Sequence, residues 1–164
     1  MKYRMDFVTN SSSSSFICAF KNKADFESQM QMLANRYSAY SGVIYSDILK
    51  NKITREEALK ELKHYFYIMA EYELYWQPYS MNTKYWDDKL KEKGLNNWEL
   101  MKLPEFKKEA DEWVKKEMSA VEGKMPKRGM YASVEYGDDI DFYAELEHEI
   151  MPYLPFVVYR INKH

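Results

Sequence analysis

Stretches with strand character occur only near the two ends of this chain, and the long interval between them repeats with a helical period. Residues 16–21, FICAFK, are aromatic and β-branched enough for one short strand. In the last fifth, MYASVEY at 130–136 alternates as a half-buried strand does, and FVVYRI at 156–161 reads as a strand buried on at least one face. Between these two lies a segment opened by Gly137 and Asp138 and closed by Pro152 and Pro155. It predicts a helix through about Met151, the minimum for a parallel strand–helix–strand crossover. The expectation is an α+β fold, with a small three-stranded sheet packed against a mainly helical middle. A chain of 164 residues suits one domain with a single core, and neither a repeat nor a linker divides residues 1–164.

The helical period begins at Ala24. Phe26, Met30, Leu33, Tyr37, Tyr40 and Ile44 recur at alternating steps of four and three on one face, with Gly42 as the point where this helix ends or bends. Thr54 and Glu57 have capping-box spacing. The helix they open carries Ala58, Leu62, Tyr65, Phe66, Met69, Tyr72 and Trp76, and Pro78 stops it. A shorter helix over 83–93 ends at Gly94, and Asn97 is placed to cap a turn. Pro104 suits the first position of a last middle helix, which turns Phe106, Ala110, Trp113, Val114 and Val121 inward and stops at Gly123.

Composition removes several classes of function. Net charge is −2 with the signs interspersed, which argues against nucleic-acid binding; the densest basic stretch, KMPKRG at 124–129, reads as a solvated turn. No apolar run reaches membrane-spanning length. The basic MKYR start fails as a signal peptide, because Asp6 and the serines interrupt it and the apolar FICAF is too short, so a cytoplasmic, unprocessed chain is expected. Cys18, the single cysteine, lies between apolar neighbours and reads as a small buried hydrophobe. With 5 Gly and neither a Walker nor a dinucleotide loop, no cofactor is implied. Aromatics reach 16%, including 15 Tyr and 4 Trp, which predicts a large-residue core edged by tyrosines or an exposed aromatic face for a partner.

Three constellations could carry chemistry. Glu61–His64 and Glu145–His148 are both Glu-x-x-His and, with Glu27 and Glu109, match the spacing of a di-iron carboxylate bundle. At about 100° per residue His64, Glu145 and His148 fall off their apolar faces, Glu61 lies at an edge, and Glu27 and Glu109 miss their stripes, so surface decoration is the expectation. Tyr136-Gly-Asp-Asp139, with Asp141 behind it, resembles a polymerase metal turn, but helix capping by the aspartates accounts for the same residues. Glu117 and Glu147 do fall on apolar stripes. They are the candidates for a general acid, with a solvent-reaching position at the stripe's rim as the plainer reading.

The N-terminal string has its own identity. Arg4, Asp6, Phe7, Val8, Thr9 and Asn10, then Ser11, Ser12, Ser13, Ser14 and Ser15, then Phe16 and Ile17, resemble the opening of many small, functionally uncharacterised bacterial proteins, chiefly from clostridial Firmicutes. The resemblance covers about the first 17 residues and implies a bacterial cytoplasmic protein; it brings no catalytic residue. The serines themselves fit a mobile linker, a modification or anion site, or, as the favoured reading, an ordered lead-in whose hydroxyls bond nearby backbone before Phe16 enters the sheet. The expected role is a non-enzymatic binding or protein-interaction domain, with a protein partner or self-association through exposed aromatics. The alternative is a small metal-dependent or carboxylate-based hydrolase.

Overall fold

The computed structural model describes residues 13–77 and 82–163. The chain divides into two compact units, Met1–Ala58 with Lys124–His164, and Leu59–Gly123. The first holds the sheet, built from β1 (Ser13–Phe20), β2 (Lys52–Ile53), β3 (Met130–Gly137) and β4 (Val157–Asn162) in the order β2-β3-β1-β4, with every neighbouring pair antiparallel. The class is α+β as expected, but among the described residues the strands number four rather than three. The extra one, β2, is two residues long and therefore too short to show a period of two.

β1 starts three residues earlier than the apolar FICAFK run suggests. Ser13, Ser14 and Ser15 pair with Gly137, Tyr136 and Glu135 on one side, while Ser14 and Ser15 pair with Asn162 and Ile161 on the other. Pairing on both edges satisfies the serine backbone, and that outweighs the low strand preference of the residue type. Motif residues 7–12 lie outside the described residues. β3 and β4 both run antiparallel to β1 and so parallel to each other, but β1 stands between them. The expected strand–helix–strand crossover is present in split form. A register shift between Ile17 and Cys18 leaves Val158 as an extra residue in β4, a β-bulge.

The two faces of β1 are buried alike, which is why its sequence reads as one continuous apolar run. Phe16, Cys18 and Phe20 join Ala132, Val134 and Tyr136 of β3 in the main core. Two helices cover that face: α1 (Lys23–Arg36) supplies Phe26, Met30 and Leu33, and α2 (Ser38–Lys50) supplies Ile44 and Ile48. Phe20 meets Phe26 edge-on at 5.1 Å and Phe156 at 4.9 Å. The expected break at Gly42 falls instead at Tyr37 (φ −131°, ψ 55°), and Gly42 sits inside α2. The Tyr37 carbonyl accepts from the amides of Tyr40 and Ser41, restarting the helix on a new axis that turns Ile44 and Ile48 to the same core.

After β3 the expected single helix is three short pieces: α6 (Asp141–Glu145), a π turn (Leu146–Ile150) and a 3-10 turn (Met151–Tyr153). Ile140 occupies the N-cap with no side-chain cap bond, so the aspartates of the Gly-Asp-Asp string do not cap the helix as expected; only Asp141 enters its first turn.

The second unit is helical. α3 (Arg55–Glu71) begins in the first unit, where Thr54 and Glu57 make both bonds of the expected capping box, at 3.0 and 2.8 Å. A π turn (Tyr72–Trp76) extends it, and Pro78 lies outside the described residues. α4 (Thr83–Glu92) closes with Gly94 at φ 67°, where the Leu95 amide reaches the Leu90 carbonyl and the Gly94 amide that of Lys91. The cap of the following 3-10 segment (Asn97–Lys102) is Asn96 rather than Asn97, in a capping box with Glu99. α5 (Pro104–Glu122) starts on Pro104 and stops at Gly123, as read. Edge-on rings knit this unit, Trp86 to Phe106 at 5.0 Å and Phe66 to Trp113 at 6.2 Å. No helix among the described residues is long and apolar enough to cross a membrane.

At Gly129, just ahead of β3, a Cβ would lie 2.3 Å from the Phe20 carbonyl oxygen, whereas one at Gly42 would meet nothing within 4 Å. Gly129→Ala is therefore expected to lower stability by about 1–3 kcal/mol, and Gly42→Ala to raise it by up to about 1 kcal/mol. Thermal melts of the two variants check the opposite signs.

Candidate functional site

The most elaborate polar arrangement in the first unit stands where the serine run meets the π turn. Ser14 and Phe16 point to the same face of β1 as their β4 partners Asn162 and Arg160. The π turn sets Glu147 over that row. Its wider winding buries Leu146, Glu147 and Ile150 together, so Glu147 is wholly buried instead of reaching solvent at a rim. Ser14, also wholly buried, donates its hydroxyl proton to Glu147 Oε1 at 2.7 Å, leaving Asn162 Oδ1 as a longer contact at 3.3 Å. Arg160 Nε donates to Ser14 Oγ at 3.0 Å and Arg160 Nη2 to Glu147 Oε1 at 3.3 Å. The guanidinium also lies 5.8 Å over the Phe16 ring.

His148 completes the group from the exposed side. Arg160 Nη2 can only donate, so His148 Nδ1 at 3.4 Å is the acceptor and a neutral ring carries its proton on Nε2. That atom stands 3.7 Å from Glu147 Oε2, which is buried and has no hydrogen bond. Serine, carboxylate, arginine and histidine are the parts of a nucleophilic site, but their arrangement is closed. The hydroxyl is spent on one carboxylate oxygen and neither group meets solvent, so no reacting atom has a place beside them. The cluster is a polar clamp that joins β1, β4 and the π turn. Serine hydroxyls also serve this role on the other face, where Ser15 reaches across to Glu135 at 3.5 Å, and Glu135 pairs with Lys163. The hydroxyls of Ser14 and Ser15 thus address carboxylates rather than the nearby backbone expected of a lead-in.

The remaining candidates scatter. Glu61 (half-buried) and His64 (exposed) stand on α3 in the second unit, whereas Glu145 and His148, both exposed, belong to the first. Glu27 and Glu109 are exposed, and Glu117 is half-buried on α5. Among the described residues no group of three or more His, Cys, Asp and Glu is arranged to hold a metal ion. Cys18 is wholly buried and burial pushes its thiol well above the usual range, which suits a core residue. Tyrosine–carboxylate pairs account for part of the aromatic excess. Tyr40 bonds Glu145, Tyr67 bonds Asp111 at 2.6 Å, Tyr75 bonds Asp87 at 2.7 Å and Tyr136 bonds Asp47 at 3.0 Å. Burial, with Asp87 beside it, pushes Tyr75 up to about 12.

The open features of the described residues lie elsewhere. In the first unit a cleft of about 580 Å³ lies between the start of α1, the end of α2, β2 and the start of β3. A second recess of about 460 Å³ is acidic, with Asp47, Glu135 and Asp139 beside Tyr136 and Tyr143. In the second unit Ile68, Tyr72 and Trp76 follow one another at steps of four along α3 and its π turn, all exposed, and Trp98 lies 5.5 Å from Trp76 with 82% of its surface open. Spacing alone did not reveal this stripe, because Tyr72 and Trp76 were assigned to the apolar core face. No family model, curated protein or solved structure matches the chain.

Arg160→Met leaves the buried Glu147 carboxylate unpaired and should cost about 3 kcal/mol, while adding Glu147→Leu should recover most of that. Denaturant unfolding of both variants reads the difference, and a single variant of wild-type stability would remove the clamp from the account. Lys163 and the serine hydroxyls hold Glu135 below its ordinary value of 4.5. The Lys163–Glu135 pair therefore stabilises above that value, and its contribution fades as the pH falls through the lowered one. Lys163→Ala should be less stable than wild type near about pH 7, and the difference should shrink as the pH falls from 4.5 through the lowered value.

Proposed function

We propose that this chain is a non-enzymatic protein-interaction domain that associates with a second copy of itself through the indole-centred stripe of its helical unit. The single observation that carries this reading is the pair Trp76 and Trp98, two large apolar rings in contact with each other and open to solvent. An isolated exposed ring needs no explanation, but a row of Ile68, Tyr72, Trp76 and Trp98 is a contiguous apolar patch of the kind that marks contact surfaces. A patch of this kind is self-complementary, and a net charge of −2 offers little repulsion between copies. The serine-rich opening supports a bacterial cytoplasmic setting. The unbonded Oε2 of Glu147 favours a second reading, a carboxylate-based hydrolase, but this requires the wholly buried Ser14 and Glu147 to open to a substrate.

Sedimentation equilibrium tests the association. The wild-type chain should self-associate reversibly, and Trp98→Ser or Trp76→Ser should weaken the constant by about tenfold, or ~1.4 kcal/mol, with unchanged circular dichroism. A wild-type chain that stays monomeric at every concentration would overturn the reading.

A further inference from the structure

The cleft of the first unit has the size of a small-molecule site, about 580 Å³ against the usual few hundred to about a thousand. Its apolar surface is made by Phe26, Tyr45, Leu49, Ile53, Met130 and Tyr131. Phe26 and Tyr45 stack at 5.7 Å with their planes 27° apart, and in this aromatic wall Tyr45, 46% exposed, is the ring that leaves open surface for a guest. Tyr131 turns its hydroxyl to the Pro126 carbonyl, so its polar end is already satisfied and the almost fully buried ring forms part of the cleft's floor. Gly129 also lines the cleft.

The polar groups at the rim are unequal in what they have left to offer. Asn22 spends its side chain on the Asp25 amide, and Lys23 and Glu27 face each other at 3.8 Å, an exposed pair that is neutral in sum. The backbone of Lys52 is paired with Ala132 in the sheet, but its ammonium has neither an ion pair nor a hydrogen bond to another described residue. The first turn of α1 at the same rim adds no net positive field, because Asn22 caps it and the Asp25 carboxylate offsets the partial charge of the helix end. An apolar, partly aromatic interior thus has one uncommitted ammonium, that of Lys52, at its mouth.

We propose that this cleft binds a small flat carboxylate, with an aromatic body against the Phe26–Tyr45 wall and its carboxylate at Lys52. Neither the ring wall nor the cation is engaged by the association surface, so the site stands independently of that reading. The wall selects a planar body over a branched one, and the charge selects an anion over its neutral amide.

The test uses the full chain, isotope-labelled, titrated with 2-naphthoate and in parallel with the neutral 2-naphthamide and followed by amide chemical shifts. The expected result is shifts centred on Lys23, Tyr45, Lys52 and Met130, with naphthoate binding about threefold to fivefold tighter than the amide at low salt. Lys52→Gln, an exposed change that leaves the fold intact, should erase that preference while keeping the shifts, and added salt should do the same. Tyr45→Ala should weaken both compounds together. Equal binding of acid and amide by the wild type, a preference that survives Lys52→Gln, shifts centred instead on Asp47 and Tyr143, or no shifts at all would each overturn the proposal.

Discussion

One strand holds the first unit together, and it does so because, beyond its first residue, it is buried away from water. β1 is hydrogen-bonded along both edges, to β3 and β4, and from Ser14 to Phe20 it is buried on both faces. A strand so placed must satisfy every backbone group within the sheet and must present apolar or fully partnered side chains on each side. Phe16, Ile17, Cys18, Ala19 and Phe20 meet the demand with hydrocarbon and a thiol. The serines meet it differently, and the polar chemistry of this unit follows from that difference.

A buried hydroxyl needs a partner, and Ser14 takes the strongest kind, a carboxylate that is itself paired with a guanidinium. The π turn exists where that carboxylate must reach down to the sheet, and the β4 bulge lies two residues from the arginine that answers it. Irregular backbone and buried charge therefore share one location and one cause. The arrangement resembles a catalytic site in its residue types and differs in its accessibility. Ser14 and one oxygen of Glu147 are committed to each other and to Arg160 away from solvent, and the cluster acts as a fastening.

Local chemistry was the part of this fold that could be read in advance. The Thr54–Glu57 box, the Gly94 and Gly123 stops and the Pro104 start each depend on neighbours within four residues, and each stands where the spacing put it. The exposed positions of His64 and Glu145 likewise follow from ordinary helical winding. What depends on distant partners could not be read. The serines gain their place in a strand from residues near the other end of the chain, β2 is too short to carry a pattern, and the kink at Tyr37 serves a core that α1 alone does not define. Glu147 was singled out by its stripe, yet its partner Ser14 is 133 positions away, and no spacing rule spans that interval. The indoles were missed for a related reason, since a helical period says which residues share a face but not whether anything covers it.

The order of elements along the chain gives β1 a further consequence. It is the earliest of the strands to leave the ribosome, while both strands that flank it lie beyond residue 129. Until those arrive, a long apolar segment has no edge partners, and closing the sheet requires a loop of most of the chain. That topology places assembly of the sheet after the locally stabilised helices and slows it. Polar serines at the head of β1 shorten the purely apolar stretch that waits, so the same residues that fasten the finished sheet also temper the unfinished one.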